Sequence, residues 1–594
     1  MNIPNMTNIN KYQDPQTTFA GYNHNLVIQP EQFYDMQNMT GDYFPVMSPR
    51  KKRGKIMHIE NCQGLLASES LYWVADDKLY QNGTQLCTLP LHNVNRTLLS
   101  MGANIVIFPD KVIYNTSGEP GNDNPKHINK EWVAGKRDTI YYSLSTLTDS
   151  DAIIFAEAKD TAPEEATNGQ YWIDTSGGGQ VLKVYSSQQE EWSSVATTYI
   201  WITAPGIHDG FKKYDAVTLK GFNHDELNGS FVIWNVKENK ILVTALLSDY
   251  TPYEVPDGKT ISVERTMPDI DFPVESENRI WGCKWDNTIN EIYASAQGDP
   301  TNWSNYMGTS QDSYTLSLGS DGAFTGSTVH GGYVMFFKEN VIHKLYGSKP
   351  SNYQLTNVTA RGIGRGSDKS AVIVNETLYY LSKNGVCQYA GGSPSGIYNV
   401  FGGKRYKNAV AGRMGDKYYI SMADNDNKYH VFTYDETMDM WFKEDNLQFK
   451  FCSESKGNLY IVDANNDLWV ADYENYDGAF KNIITEEPDF EWFAETGDIG
   501  IQEPDYKFYQ DFQIRLTTKA NTKVKVYMQY DSDGEWHLAD TIEKQRKGCY
   551  TIPIHTPKVD HFKMKIAGKG DCKIYLISKY REIGSEVRNY GHKL

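Results

Sequence analysis

Cysteine is scarce in this sequence, and no pair of cysteines stands at C-x-x-C spacing. The seven cysteines are scattered along the chain, at positions 62, 87, 283, 387, 452, 549 and 572. Such an odd set is typical of free thiols in a reducing compartment rather than of a disulfide framework or a zinc site. No apolar run reaches the length of about 18 residues that a membrane-spanning helix needs. Residues 1–15 are polar and Asn-rich, so we expect no secretion signal and predict synthesis in a cytoplasm without membrane insertion.

Basic residues are also in short supply. The chain has 594 residues, of which 75 are Asp or Glu and only 58 are Lys or Arg, giving a formal charge of −17. Because such a surface repels phosphates, tight wrapping of nucleic acid is excluded as the main task. Amphipathic helical stretches are nearly absent, whereas Tyr (41 residues) and Gly (48 residues) are abundant. This composition favours strands and turns and predicts a mainly β protein.

One pattern recurs along the chain: an apolar strand, a turn of Asp, Asn, Lys or Gly, and a second strand. Turns of this composition are typical of short β-hairpins because Asn, Asp and Gly tolerate positive φ angles. The copies occupy residues 71–86, 105–118, 279–303, 333–355, 377–397, 417–445 and 458–480.

The spacing of these hairpins predicts a β-propeller. Five of the six steps between their starts span 34 to 54 residues, close to the roughly 40–45 residues of a four-stranded blade. We therefore predict about seven blades, with six to eight compatible with the pattern. A propeller suits the pattern because each small sheet buries both faces against its neighbours. Two stacked β-sandwiches with irregular hairpins are the alternative.

The remaining step, 174 residues long, predicts an inserted domain. We predict an extended N-terminal docking arm at 1–55, the propeller at 56–121 and 274–485, and the insertion at 122–273. The insertion itself divides into a meander at 132–195 and a small five-stranded barrel or sandwich at 199–263. Regular alternation after residue 486, with Val524, Val526 and Met528 on one face, predicts a C-terminal β-sandwich at 486–594.

No motif indicates catalysis. Residues 362–366 (GIGRG) lack the spacing of a nucleotide-binding loop, and we interpret them as a turn between blades. No Walker A, H-E-x-x-H, G-x-S-x-G or EF-hand motif occurs, and the 13 His are dispersed. We therefore expect no enzyme, and no catalytic, cofactor-binding or metal-binding residues.

Three acidic clusters are candidate sites. Residues 424–427 (DNDN) and 463–467 (DANND) could offer oxygen ligands to calcium, but both fall at hairpin tips, where turn chemistry explains them. Residues 531–536 (DSDGEW) resemble the Asp-box of sialidases, although the stretch occurs once and outside the propeller. A propeller glycosidase would need paired carboxylates in a central cleft.

The only basic run is Arg-Lys-Lys-Arg at residues 50–53, following a segment with prolines at 45 and 49. Read in isolation, it is a nucleic-acid patch. In a chain of this charge we favour a docking segment that pairs with the acidic surface of a neighbouring subunit. The prolines would hold it extended.

Three stretches carry a resemblance to a known family: residues 19–53, residues 277–306, with the string IYASAQGDPTNW at 292–303, and residues 324–355. They resemble the tail stabilisation, or nozzle, proteins of tailed bacteriophages, best known in short-tailed phages. The resemblance spans 19–118 and 277–402 and extends more loosely to 494–516, whereas the insertion is not covered. The family offers no catalytic residues to carry over.

This resemblance implies a structural virion protein located in the tail. Such a protein forms a homo-oligomeric ring, here a hexamer, beneath the portal and adaptor, retains the packaged genome and forms its exit channel. Double-stranded DNA would pass through the lumen without sequence-specific binding, and an acidic lumen would let it slide. Two alternatives remain: a tail protein that binds host-surface glycans through the insertion and the sandwich, and a propeller enzyme that hydrolyses glycans.

Overall fold

The computed structural model describes residues 10–118, 124–145, 158–178, 180–195, 198–502, 508–543, 546–554 and 559–583. The predicted boundary at residue 122 and both chain ends lie outside these ranges. The chain forms two compact units: unit 1 contains residues 1–96, 324–344 and 357–594, and unit 2 contains residues 97–323 and 345–356. Within the described ranges no α-helix occurs, and no helix has the length and hydrophobicity required to cross a membrane. The short 3-10 helices are Asp225–Leu227, Pro350–Asn352, Asp368–Ser370 and Asn399–Phe401.

Unit 1 contains four antiparallel sheets of the propeller-blade type. The first is formed by Cys62–Ala67, Leu71–Ala75, Lys78–Gln81 and Thr84–Thr88. The second is formed by Val372–Val374, Thr377–Ser382, Gly385–Tyr389 and Ser395–Gly396. The third is formed by Lys407–Met414, Lys417–Ala423, Tyr429–Asp435 and Met440–Lys443. The fourth is formed by Phe449–Ser455, Asn458–Asp463, Asp467–Val470, Gly54–His58 and Thr485–Glu486.

These sheets pack face to face in chain order. Tyr418 and Ile420 of the third sheet share a core with Leu381 of the second. The third sheet also packs against the fourth, through Val431 and Ile461. The fourth sheet in turn packs against the first. Their shared core contains Leu65 and Trp73 of the first sheet and Phe451 and Val462 of the fourth. The strand Gly54–His58, from near the start of the chain, completes the fourth sheet by pairing with Asp467–Val470.

Unit 2 contains two further sheets of this type and the inserted domain. The blade-type sheets are formed by Thr97–Met101, Asn104–Phe108, Val112–Asn115 and Lys126–His127, and by Asp271–Ser276, Arg279–Trp285, Asn290–Ala294 and Tyr314–Ser317. They share a core that includes Val106 and Ile280. In the sequence, the insertion therefore connects two sheets that pack together. The residues at which the chain passes from one unit to the other form four strands: Phe324–His330, Tyr333–Lys338, Val341–Tyr346 and Gln354–Thr359.

The mainly β, propeller-type fold predicted from the hairpin repeat is confirmed, while the number of blades stays a prediction. Six of the seven repeats begin at the first residue of the second strand of a set, for example Leu71, Thr377 and Lys417, and the other begins one residue inside it. The turns use the residues that the pattern pointed to. Asp76 and Asp77, between two strands of the first sheet, have φ angles of 45° and 60°.

The insertion has one core beneath three sheets. One sheet contains Lys130–Val133, Ser262–Arg265, Ala216–Lys220 and Gly229–Val232. Another contains Asn235–Lys237, Lys240–Thr244, Tyr199–Thr203, Thr139–Ser145 and Tyr253–Glu254. The third is the meander Tyr171–Asp174, Val181–Ser186 and Glu191–Ser194. The predicted division at 132–195 is therefore too coarse, because Thr139–Ser145 pairs with Tyr199–Thr203 and joins the second half.

The C-terminal sandwich consists of two sheets in unit 1. One contains Met39–Tyr43, Val46–Pro49, Cys572–Ile583, Phe508–Thr518, Gly548–Pro553 and Asn10–Gln16. The other contains Phe33–Gln37, Glu491–Thr496, Phe562–Lys569, Lys523–Tyr530 and His537–Ile542. Val524, Val526 and Met528 are all fully buried in the core that both sheets share.

The interpretation of residues 1–55 as an extended arm is wrong for the described part of that segment. Asn10–Gln16 pairs with Cys572–Ile583 along seven residues, and Phe33–Gln37 pairs with Glu491–Thr496. The segment therefore supplies strands to the sandwich of its own chain. Its backbone groups find partners there, which removes the unpaired edge that an extended arm would expose.

Candidate functional site

The basic run at residues 50–53 lies in a buried ion-pair cluster, formed by Arg50, Arg53, Glu444, Asp445 and Glu487. Arg50 donates from both terminal nitrogens to the Glu487 carboxylate, at 2.8 and 2.9 Å. Arg53 donates to Glu444 and to Asp445, each at 2.6 Å. The side chains of both arginines are at most 5% exposed. Such two-nitrogen contacts are the geometry in which arginine binds carboxylates most strongly.

Burial and charge act in opposite directions on this ion-pair cluster. Burial disfavours the ionised form of Asp445, but the guanidinium groups of Arg53 and Arg50 outweigh it and lower the pKa of this carboxyl to about 2. The same competition lowers the pKa of Glu487, where burial is outweighed by the hydrogen bond and charge of Arg50 together with the charge of Arg53. Asp445 and Glu487 therefore remain charged at neutral pH and help to neutralise the two arginines.

The two lysines of the run are also paired within the chain. Lys51 lies 2.7 Å from Asp472, and Lys52 lies 2.8 Å from Glu486 and 2.7 Å from Asp489. The prediction that this run docks on an acidic surface describes the contacts correctly, but the surface belongs to the same chain. The assignment to a neighbouring subunit is wrong because all four side chains already have carboxylate partners here.

A cleft of about 1,030 Å³ opens beside the ion-pair cluster. Lys417 contacts both Asp42 and Asp435 on its wall, the latter at 3.8 Å. Burial raises the pKa of Asp435, although Lys417 acts against that shift. A glycosidase places two carboxyl groups on either side of the scissile bond. In the cleft, Glu444 pairs with Arg53 and Asp472 pairs with Lys51, contacts that stabilise the fold.

The two acidic hairpin tips use their carboxylates within the turns. Asp424 accepts hydrogen bonds from the backbone N–H groups of Asp426 and Lys428, each at 2.9 Å, while His430 lies 3.0 Å from its other oxygen. Asp463 accepts from two backbone N–H groups and from the indole of Trp469. Turn chemistry accounts for both clusters. In the described ranges no three metal-ligating side chains come together.

The remaining two motifs also have structural roles. A Cβ atom on Gly362 would lie 2.0 Å from the carbonyl oxygen of Lys338, so this position requires glycine for close packing. Asp531 accepts hydrogen bonds from the backbone N–H groups of Asp560 and His561, fixing the turn that begins the DSDGEW stretch. Trp536, at the end of that stretch, lines a second candidate site.

This second site is the lysine face, formed by Lys523, Lys525, Lys565 and Lys569 with Phe493, Tyr527 and Trp536. It is the outer surface of the sandwich sheet whose buried face contains Val524, Val526 and Met528. These residues line a groove of about 540 Å³. Strand alternation creates the face, since successive side chains point to opposite sides of a sheet. The sequence pattern predicted the buried residues Val524, Val526 and Met528, but the lysines that alternate with them were not recognised as a site.

Cross-strand pairing sets the spacing of the lysine face. Lys523 is opposite Lys569, and Tyr527 is opposite Lys565. Ala567 lies between Lys525 and Phe493, opposite both, and leaves the centre of the face shallow. Like charges that face each other across strands destabilise a sheet. Lys523 and Lys569 therefore repel each other, while Glu543 pairs with Lys523 and Glu491 is opposite Lys569 on the other neighbouring strand.

The string IYASAQGDPTNW at 292–303, the most distinctive part of the phage-family resemblance, forms a buried support in unit 2. Arg279 is 1% exposed, and its guanidinium donates to the backbone carbonyls of Ser295, Asp312 and Ser310 at 2.5 to 2.8 Å. Trp303 is 2% exposed, and its indole donates to the carbonyl of Pro300. Arg279 and Trp303 thus hold the backbone of the string in place at Ser295 and Pro300.

Comparisons with known proteins identify no family. No family model and no curated protein matches the chain. Among solved structures, it is similar to exo-beta-1,3-galactanase from Phanerochaete chrysosporium with galactose, at 8% identity and a TM-score of 0.17, covering 52% of this chain and 95% of that one. It is similar to Kluyveromyces lactis Hsv2 at 11% identity and a TM-score of 0.24, covering 58% and 95%. It is similar to phage phi92 endosialidase at 11% identity and a TM-score of 0.21, covering 92% and 71%. At these scores the matches carry no argument about activity or partners.

Proposed function

We propose that this chain is a non-catalytic structural protein of a bacteriophage tail. In this proposal it assembles in the cytoplasm of the host bacterium into a homo-oligomeric ring, a hexamer, beneath the portal and adaptor. The ring retains the packaged DNA and forms its exit channel. The observation that carries the proposal is the use of the family-like string at 292–303. Its side chains, together with Arg279, support buried backbone and form no reactive group.

The distribution of charge supports the same proposal. The single basic run is neutralised by carboxylates of its own chain, so its arginines are not available to bind phosphates. A conduit for DNA should not adhere to it, because each phosphate neutralised by a protein cation adds affinity. Identical subunits can form such a conduit when a heterologous interface closes after a fixed rotation.

The location of the protein in particles tests this proposal. Mass spectrometry of purified virions that carry the gene should detect the chain in a fixed ratio to the portal protein. Light scattering and negative-stain images of the purified chain should give a ring with several subunits. A chain that is monomeric at high concentration and absent from virions would overturn the proposal.

The second candidate function is binding of a host-surface glycan, and the lysine face is the observation that favours it. Three of its cations, Lys525, Lys565 and Lys569, have no ion-pair partner within the described residues. The third hypothesis, hydrolysis of glycans, gains less support, since Asp472, Asp42 and Glu444 of the large cleft are paired with Lys51, Lys417 and Arg53.

A further inference from the structure

The lysine face is a local excess of positive charge on an acidic protein. Four lysines border one groove on a chain whose formal charge is −17. Lys523 pairs with Glu543 at 2.9 Å, at the margin of the groove. Within the described part of the chain, no carboxylate lies within 4 Å of the ammonium groups of Lys525, Lys565 or Lys569. These three cations are therefore available to an anionic ligand.

Two aromatic rings hold one of these cations in a fixed position. The Nζ atom of Lys565 lies 4.2 Å from the centroid of the Phe493 ring and 5.5 Å from that of the Trp536 ring. Each ring attracts the ammonium through its electron-rich face. Restricting a lysine before binding lowers the entropy that the complex must lose. The face thus presents a cation that is already oriented.

Hydrogen-bond acceptors line the same groove. Gln37 is opposite Phe493 on the neighbouring strand, and Glu491 is opposite Lys569 on the strand at the other side. Both contribute to the wall of the groove. A ligand that satisfies this lining needs anionic groups for the lysines and hydroxyl donors for Gln37 and Glu491.

We propose that the lysine face binds a segment of an acidic polysaccharide, whose sugar carboxylates contact Lys525, Lys565 and Lys569. Its hydroxyl groups donate to Gln37 and Glu491. This inference deepens the second candidate function by naming the ligand class and the residues. It is independent of the ring proposal, because a structural tail protein can carry such a surface or lack it.

Single-stranded nucleic acid is the other polymer that positively charged aromatic grooves bind, and this groove fits it less well. Bases stack on free ring faces. Here the ammonium group of Lys565 lies over the rings of both Phe493 and Trp536. The phosphodiester backbone of DNA also has no hydroxyl donor for Glu491, whereas a sugar polymer offers hydroxyl groups along its length. We therefore assign the groove to an acidic sugar polymer.

The test uses the full-length chain and three carboxylated polymers: polygalacturonate, hyaluronate and polysialic acid. Fully methyl-esterified polygalacturonate is the neutral control, and a thymidine oligonucleotide is the nucleic-acid control. Affinity is measured by biolayer interferometry at 50 and 500 mM salt. We expect binding to at least one carboxylated polymer, at least tenfold weaker binding at high salt, and at least tenfold weaker binding to the ester.

Matched variants locate the site. The double variant Lys525→Ala/Lys565→Ala should weaken binding at least tenfold. Lys547→Ala is the control, because the Lys547 ammonium also lies over a ring, 4.1 Å from the centroid of Tyr575, away from the groove. The control should bind like the wild type. Circular dichroism checks that each variant is folded, and Lys525→Gln provides a milder substitution if the double variant does not fold.

Three results would overturn the proposal. One is no binding to any of the three polymers at 50 mM salt. Another is equal loss of binding in Lys547→Ala and in the groove variants. The third is tighter binding to the oligonucleotide than to every polymer, which would assign the groove to nucleic acid. None of these results would change the detection of the chain in virions, so the two proposals fail separately.

Discussion

The ion-pair cluster and the lysine face both collect basic side chains in unit 1, yet their surroundings differ. The arginines of the cluster are at most 5% exposed and contact carboxylates directly, whereas Lys523 of the lysine face is 66% exposed. Breaking a buried pair leaves an uncompensated charge in a poorly solvated site, while an exposed ammonium remains hydrated. The comparison teaches that basic residues in this chain occur in two settings: those of the cluster contact carboxylates and stabilise the fold, whereas Lys525, Lys565 and Lys569 have no carboxylate within 4 Å in the described part of the chain.

Removal of an arginine from the ion-pair cluster should have the largest effect. Arg53→Ala removes the shorter of the two arginine contacts of Glu444 and one arginine partner of Asp445 in a buried site, and we expect the free energy of unfolding to fall by about 3–5 kcal/mol. Urea titration with hydrogen exchange of peptides from residues 440–455 measures it within unit 1. A loss below about 1 kcal/mol would place the cluster in the same class as the surface pairs.

The second-largest effect should come from acid, which weakens the ion-pair cluster. The pKa of Asp445 is lowered to about 2, because Arg53 and Arg50 outweigh the effect of burial. Its contribution is complete above the ordinary pKa of about 4 and is lost as the pH falls through about 2. Asp445→Asn lacks this titration. The difference in unfolding free energy between wild type and Asp445→Asn should therefore shrink between pH 4 and pH 2, and a constant difference would contradict the prediction.

Lys52 offers an internal control within the basic run itself. Its side chain is 31% exposed, and its partners Glu486 and Asp489 are 47% and 53% exposed. Solvent screens such contacts, so Lys52→Ala should lower the free energy of unfolding by no more than about 1 kcal/mol. The same urea titration measures it beside Arg53→Ala. A loss as large as that of Arg53→Ala would show that position in the run, rather than burial, decides the effect.

The lysine face should show the smallest effect on stability. Lys525 is exposed and has no ion-pair partner within the described residues, so Lys525→Ala should change the free energy of unfolding by no more than about 0.5 kcal/mol. Replacing it removes a like charge near Lys523 and Lys569. Thermal unfolding of the variant and of Lys547→Ala measures this. A marked loss of stability would assign Lys525 a structural role and blur the contrast with the ion-pair cluster.

Much of the fold was predictable because hairpins are local. The turns at Asp76, Asp77 and Asn466 have positive φ angles, as Asp and Asn tolerate, and the strands between them follow. Pairing between distant segments leaves no such local signal. The pairing of Asn10–Gln16 with Cys572–Ile583 could not be predicted, because alternation shows which face of a strand is buried and not which strand lies beside it.

The candidate sites follow the same rule. The charge of residues 50–53 predicted acidic partners, but nothing local indicates that they are Glu444, Asp445 and Glu487. The lysine face did have a local signal. The sequence KVKVY at 523–527 and KMKIAGK at 563–569 place lysine at alternate positions of two strands. Only the pairing of those strands, and the approach of Trp536, converts the two rows into one groove.

The pairing of Gly54–His58 with Asp467–Val470 has a consequence for synthesis of the protein. About 400 residues separate the partners, and a bacterial ribosome adds roughly 5–20 residues per second, so the early strand waits about 20–80 s for its mate. During that interval the nascent chain exposes an incomplete edge on which other polypeptides can add. Release before the final hundred residues would also leave Asn10–Gln16 without Cys572–Ile583, the strand with which it pairs. Completion of the chain is therefore as much a requirement of this architecture as the packing of the finished sheets.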